Sequence, residues 1–258
     1  MAKDNIIVVC TIVLCFMITL ALCLSFSEGG LLKVFNKVES ESQTVWGIAC
    51  GGYSTVAMAR QSAEMIKTRG GAGYVESGEK IEIVYAVYKS EDEANAVLAK
   101  LSDKSLYIKK YDIAKGSFKW CKDDMKSAVE SALGYFQIAF DKMFECADSL
   151  NAGSMGIDDA KTEIKVLYTQ IEDIKSAFYQ KVANSNDEHI TQIKLGLVTT
   201  LALLDNIDFS KSAASVTSSI RYQLVQLVLC RQALMNDCFV KLFFRKIYVE
   251  FQKGWKKW

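Results

Sequence analysis

His189 is the only histidine in a chain of 258 residues, so a proton shuttle working near neutral pH would have to be built on it. It follows Asp187 and Glu188 at the polar start of a helix, and no cysteine or serine is placed to pair with it as nucleophile and base. A solvated imidazole is the simpler reading. The carboxylate pairs Asp123-Asp124, Asp158-Asp159 and Glu172-Asp173 fall at helix starts or on exposed helix faces, where acids favour the helix dipole or solubility. Of the eight cysteines, Cys10, Cys15 and Cys23 lie in a hydrophobic N-terminal run. Cys50, Cys121, Cys146, Cys230 and Cys238 are scattered with no CxxC pair, which opposes a zinc site and a disulfide framework. One bridge from Cys146 to a C-terminal cysteine stays open beside the alternative of buried free thiols. The run Arg69-Gly70-Gly71-Ala72-Gly73 follows a helix, whereas a phosphate loop follows a strand and opens a helix. The expectation is a protein that is not an enzyme and takes no metal or cofactor.

The gross composition agrees. Half of the residues are apolar and the formal charge is +1, which excludes wholesale disorder and nucleic-acid binding through bulk charge. There is no proline, so nothing forbids long uninterrupted helices. From Asn5 to Phe26 the chain carries no charge, and at about 1.5 Å per residue it can cross about 30 Å of hydrocarbon. Residues 1–27 are therefore expected to form a transmembrane anchor, followed by a linker over 28–43. Two processing alternatives remain: Leu20-Ala21-Leu22-Cys23 is similar to a lipobox, and Ser25 and Ser27 could flank a signal-peptidase site. Lys3 on one flank nearly balances Lys33 and Lys37 on the other. A short N-terminus before a long C-terminal portion points to a single-pass protein of the cytoplasmic membrane, with the bulk of the chain outside the cytoplasm.

Between 44 and 115 the periodicities alternate. Thr44–Tyr53, Gly73–Glu76, Lys80–Tyr88 and Leu106–Asp112 read as strands. Ser54 is placed to cap a helix carrying Val56, Ala59, Ala63 and Ile66 on one face, stopped by Gly70-Gly71. Ser90 and Glu93 form a capping box for a second helix with Ala94, Val97, Leu98 and Leu101. The order β-α-β-β-α-β is the split βαβ arrangement of ferredoxin-like folds. Strand parity turns Trp46, Ile48, Cys50, Ile83, Tyr85 and Ile108 towards these helices. It leaves Ala49, Glu82, Tyr107, Lys109 and Tyr74 on the opposite face.

The segments IACGGYSTVAMARQSAEMIKTRGGAGYV and IVYAVYKSEDEANAVLAKL resemble the two halves of the SPOR (sporulation-related repeat) domain, over about residues 44–113. The resemblance implies a bacterial cell-envelope protein that binds septal peptidoglycan glycan strands through the sheet face opposite the helices. Some positions depart from that family. A polar residue two before a glycine is Ala49, the serine after that glycine is Gly52, an early third-strand arginine is Glu82, and a closing Gly-Pro is Ala86-Val87. The glycan-binding candidates are Ala49, Gly52, Tyr74, Glu82, Tyr107 and Lys109. That face serves equally as a solvated surface or as a seat for the C-terminal helices.

From residue 120 to 258 the pattern is helical throughout. Met125, Val129, Ala132, Phe136, Ala139, Met143, Cys146 and Leu150 form a heptad seam, and Ala160, Ile164, Leu167, Ile171, Ile174 and Phe178 continue the rhythm. With a third helix over about 188–206 and a fourth capped by Ser210, short connections predict an antiparallel bundle. Leu195–Leu204 is too short to cross a bilayer. Near the C-terminus, Phe244, Arg245, Lys246, Lys253, Trp255, Lys256, Lys257 and Trp258 mix bases with aromatics, as suits an anionic membrane surface. A last bundle helix with snorkelling lysines accounts for them equally.

The fold class expected is α+β: an N-terminal transmembrane helix, a small βαββαβ domain and a C-terminal antiparallel helical bundle. The function expected is a membrane-anchored, non-catalytic envelope protein with a SPOR-like peptidoglycan-binding module, acting in cell division or sporulation. The alternative is a scaffold whose SPOR-like domain has lost its glycan and whose bundle mediates assembly. Expected partners are glycan strands, the membrane through the N-terminal helix, and other envelope proteins or further copies through the bundle; no nucleic acid is expected.

Overall fold

The computed structural model describes residues 36–101, 103, 105–114, 116–121, 123–183, 185 and 188–237. Its β-rich part holds β1 (Asn36–Ser40), β2 (Gln43–Tyr53), helix α1 (Val56–Lys67), β3 (Tyr74–Ser77), β4 (Ile81–Tyr88), α2 (Glu91–Leu98), β5 (Leu106–Ile113) and β6 (Gly116–Cys121). Strands β3-β4-β2-β5 form a four-stranded sheet, antiparallel throughout. β1 pairs with β6 in a separate antiparallel ribbon. Four helices follow: α3 (Asp123–Ala152), α4 (Ile157–Lys181), α5 (Glu188–Asp205) and α6 (Ala213–Asp237).

The short helices start where side chains can satisfy their free N–H groups. The hydroxyl of Thr55, rather than that of Ser54, accepts from the Met58 N–H at 3.2 Å and caps α1. Ser90 Oγ accepts from the Glu93 N–H at 3.2 Å, while the Glu93 carboxylate reaches back to the Lys89 N–H at 3.1 Å. Because α2 is only 8 residues long, it depends on that cap more than a long helix would. Ser90→Ala is expected to lower stability by about 1 kcal/mol; an unchanged urea midpoint would show the cap to be idle.

One face of the sheet meets α1 and α2 and the other meets the long helices, with Phe144 of α3 reaching round to Tyr88 on the first. On that first face, Ile48, Ala86 and Tyr88 pack with Ala94 of α2, joined by Trp46 and Ile108, and Ile83 packs with Ala59, Ala63 and Ile66 of α1. A bulge makes this arrangement possible. Ile48 pairs with Ala86 but Ala49 with Val84, so β4 carries one extra residue, and Val84 and Val87 both turn to the other face. There they join Val45, Tyr111 and Ile113 in one hydrophobic cluster with Phe136, Leu167, Leu197 and Leu224 of the helices.

Helix α6 makes that junction. It packs on α3 and α5 and on β4 and β5, with Val216, Ile220, Leu224, Val225, Leu227 and Val228 all buried. Polar ties mark its path across the sheet. Arg221 donates to the Gly70 carbonyl at 3.0 Å, the Tyr222 ring lies 5.2 Å from that of Tyr74, and Gln232 donates to the Asp112 carbonyl at 3.1 Å. α3 and α4 run antiparallel, tied by the Tyr135 hydroxyl donating to the Leu167 carbonyl (3.1 Å) and by Lys142–Glu163 (3.7 Å).

The expected fold class is corrected on these findings. Among the described residues no helix is long and apolar enough to cross a membrane, and the anchor expected over Asn5–Phe26 lies outside the described residues. The single-pass placement in a cytoplasmic membrane, which followed from that helix, is withdrawn with it. The sheet and the bundle are not strung one after the other but share a core, because α6 buries apolar residues against both. The ribbon β1–β6, set where a linker and a helix start were expected, joins segments that lie far apart in the chain. Periodicity along one segment carries no signal of such a pairing. The heptad seam is real as a surface but is consumed inside the chain: Val129, Ala132, Phe136, Ala139, Met143, Cys146 and Leu150 are buried, as are Ala160, Ile164, Leu167, Ile171 and Phe178.

Candidate functional site

The sheet face opposite α1 and α2 was expected to carry the ligand, and its strands place most of the candidates there. In the β2–β5 register Ala49 sits opposite Tyr107 and Gly47 opposite Lys109, and Glu76 on β3 sits opposite Glu82 on β4. Alternation then puts Tyr74, Glu76, Glu82, Ala49, Tyr107, Lys109 and Tyr111 on one side. Gly47 permits the closest approach on that surface. A Cβ there would lie 2.8 Å from Cε2 of Tyr111, so the missing side chain lets the Tyr111 ring lie across β2.

α6 divides the face into two zones. Towards the Gly70 and Asp112 ends of the sheet it covers the strands, and Tyr74 is packed against Tyr222 there. Burial raises the Tyr74 hydroxyl well above its ordinary range. Ala49 is fully buried. Gly52 lies at the exposed end of β2 with φ +93° and no heavy atom near the place of a side chain. Towards the Tyr53 and Leu106 ends a polar shelf remains. Lys109 Nζ lies 2.7 Å from Glu82 Oε2 and 3.0 Å from Glu76 Oε2. The Tyr111 hydroxyl donates to Glu76 Oε2 at 3.1 Å, and the Tyr107 hydroxyl bonds the Glu82 carboxylate. The Lys109 ammonium also stands 5.5 Å from the Tyr111 ring centroid.

The structure thus brings together Glu82, Tyr107 and Lys109, buries Ala49 opposite Tyr107 where it offers no contact to a ligand, and sets Tyr74 and Gly52 apart. Sequence reasoning missed Glu76 and Tyr111. Both were within its reach, since each lies two positions along a strand from a named candidate, Tyr74 or Lys109. The membrane-surface candidates Phe244, Arg245, Lys246, Lys253, Trp255, Lys256, Lys257 and Trp258 lie outside the described residues. Cys50, Cys146 and Cys230 are unbridged. Burial pushes the Cys146 thiol up to about 11 and the Cys230 thiol up to about 12, so neither is a thiolate at neutral pH.

The electrostatics of the shelf make it a lock. Burial opposes the charge on Glu82, but hydrogen bonds from Lys109 and Tyr107 outweigh it and hold the carboxyl below its ordinary value. For Lys109, burial is again outweighed, and the bonds to Glu82 and Glu76 raise the ammonium. Burial and the nearby carboxylates keep the Tyr107 and Tyr111 hydroxyls protonated. None of these four groups is poised to exchange a proton near neutral pH. The stability they add has a defined window. Glu82 contributes above its unfolded value of about 4.3, and the contribution is lost as pH falls through its lower folded value; Lys109 contributes below about 10.4 and loses it as pH rises through its higher folded value.

A variant follows from this geometry. With side chains only 14 to 27% exposed, Lys109→Met leaves Glu76 and Glu82 facing each other across paired strands. The expected loss is about 1–3 kcal/mol at pH 7, below that of a fully buried pair because water still screens the site. The loss should shrink at pH 4, where protonation removes the repulsion. Urea unfolding at the two pH values checks this, and equal losses at both would count against an electrostatic lock.

No family model, curated protein or solved structure matches the chain.

Proposed function

We propose that this chain is a non-catalytic scaffold, a protein-interaction module whose SPOR-like sheet is spent on holding its own helices. The observation that carries the reading is α6 lying across β4 and β5, on the face through which the SPOR resemblance implies glycan binding. Sugar recognition needs hydrogen-bonding side chains beside flat rings with room for a saccharide between them. Here Tyr74 is taken by Tyr222, and Glu82, Lys109 and Tyr107 are bonded to one another. What a rigid body of this kind offers is a set of fixed surfaces.

The rival reading, a peptidoglycan-binding module acting in division or sporulation, has only the shelf to work with, where Tyr107 is 37% exposed. Co-sedimentation of the full chain with purified sacculi, before and after amidase stripping, separates the two readings. The scaffold predicts no retention that depends on stripping. Retention of the full chain on stripped sacculi, abolished by Tyr107→Ala, would overturn it.

A further inference from the structure

We infer that the outer layer made by α1 and α2 is a docking surface for a second copy of this chain, with α1 of each copy lying over α2 of the other. The inference rests on the scaffold reading and supplies its partner. Because the heptad seams are buried within one chain, assembly has to use another surface. The α1–α2 layer is the apolar and charged one on the sheet side. Met58 is 53% exposed and Met65 63%, seven residues apart and so on one side of α1, and Leu101 beyond the end of α2 is 38% exposed. Methionine side chains adapt to a partner surface better than branched ones.

Charge selects the occupant. α1 follows β2 and α2 follows β4, two antiparallel strands, so the helices run in opposite directions, and the C-terminal end of α1 shares one end of the layer with the N-terminal end of α2. The α1 end is basic, with Arg69 just beyond it; the α2 end opens with Glu91, Asp92 and Glu93. Within the chain these acids favour the dipole of α2. Glu93 is engaged with the Lys89 N–H, whereas neither Arg69 nor Glu91 nor Asp92 forms an ion pair with another described residue.

A two-fold axis along the helix direction, lying over the layer, carries α1 onto α2 of the other copy and leaves the two ends where they are. Arg69 then stands over the partner's Glu91 and the partner's Asp92. At the opposite end Met58 meets the partner's Leu101. Between them Met65 faces the exposed side of α2, where Ala96 offers only a short side chain. Every contact occurs twice, so the assembly closes as a dimer instead of growing into a filament. Turning one copy end for end would set the charged end of each layer over the Met58 and Leu101 end of the other and leave Arg69, Glu91 and Asp92 without opposite charges, which fixes the register.

The test is sedimentation equilibrium of the full chain at low and high salt. A concentration-dependent dimer, weaker at high salt, is expected. Arg69→Glu and Asp92→Arg, both on exposed positions, should each weaken self-association by about ten-fold or more. Mixed in equal amounts, the two variants should recover a 1:1 dimer, since at each of the two sites opposite charges face each other again. A wild-type chain that stays monomeric, variants that dimerise like wild type, or a mixture that does not recover would each overturn the inference. A monomer that also ignores stripped sacculi removes this docking surface and leaves the scaffold reading standing. Stripping-dependent retention removes the scaffold reading itself.

Discussion

Val84→Asp is expected to unfold the helices together with the sheet. Val84 is fully buried on the face that α6 covers, in the cluster that also holds Leu167, Leu197 and Leu224. An aspartate there would have to bury a carboxylate without a counter-charge or take up a proton, and either route costs more than about 4 kcal/mol. A chain of this size has few such losses to spare. The informative companion is Val84→Ala, which removes two methyl groups for about 2 kcal/mol and leaves the fold measurable. If sheet and bundle form one cooperative unit, hydrogen exchange of amides in β4, α4 and α5 should all lose protection by the same free energy. Loss confined to β4 would mean that α6 rests on the sheet without joining its core.

Gly73→Ala is the second large effect, and its cause is backbone geometry. The chain leaves α1 through Gly70 and Gly71 and must turn sharply to start β3. At Gly73 it does so with φ +56°, and an added Cβ would lie 2.6 Å from the Ala63 carbonyl oxygen, a contact that backbone on both sides prevents from relaxing. Left-handed strain at a residue with a side chain costs about 1 kcal/mol or somewhat more. The clash should bring the total loss to about 3 kcal/mol. Gly153 provides the control, because it also has positive φ (+72°) but nothing within 4 Å of the added Cβ. Gly153→Ala should therefore show the strain alone, at about 1 kcal/mol. Denaturant titrations of the two variants measure the difference; equal losses would dismiss the clash with Ala63.

The candidate site shows how far residue order reaches. Period-two alternation along β2, β4 and β5 was enough to assign Trp46, Ile48, Ile83, Tyr85 and Ile108 to one face, and Glu82, Tyr107 and Lys109 to the other. The same alternation, taken two residues further, would have added Glu76 and Tyr111. Whether those groups wait for a ligand or bond one another depends on distances between strands. Alternation does not contain them.

Local patterns in the sequence determined the helices and most strands, the capping serine of α2, the internal seam of α3 and α4, and the glycine turn after α1. All of these follow from contacts between residues near in the chain, where geometry is set by periods of 2 and 3.6. Only the tertiary structure decided what covers the second face of the sheet. The physical reason lies in α6, which is buried around much of its circumference, at Val216, Thr217, Ser218, Ile220, Leu224, Val225, Leu227 and Val228. A helix without a dominant apolar stripe does not announce which neighbour each side will meet. The pairing of β1 with β6 was decided in the same way, by closure of a long stretch of chain that no local pattern records.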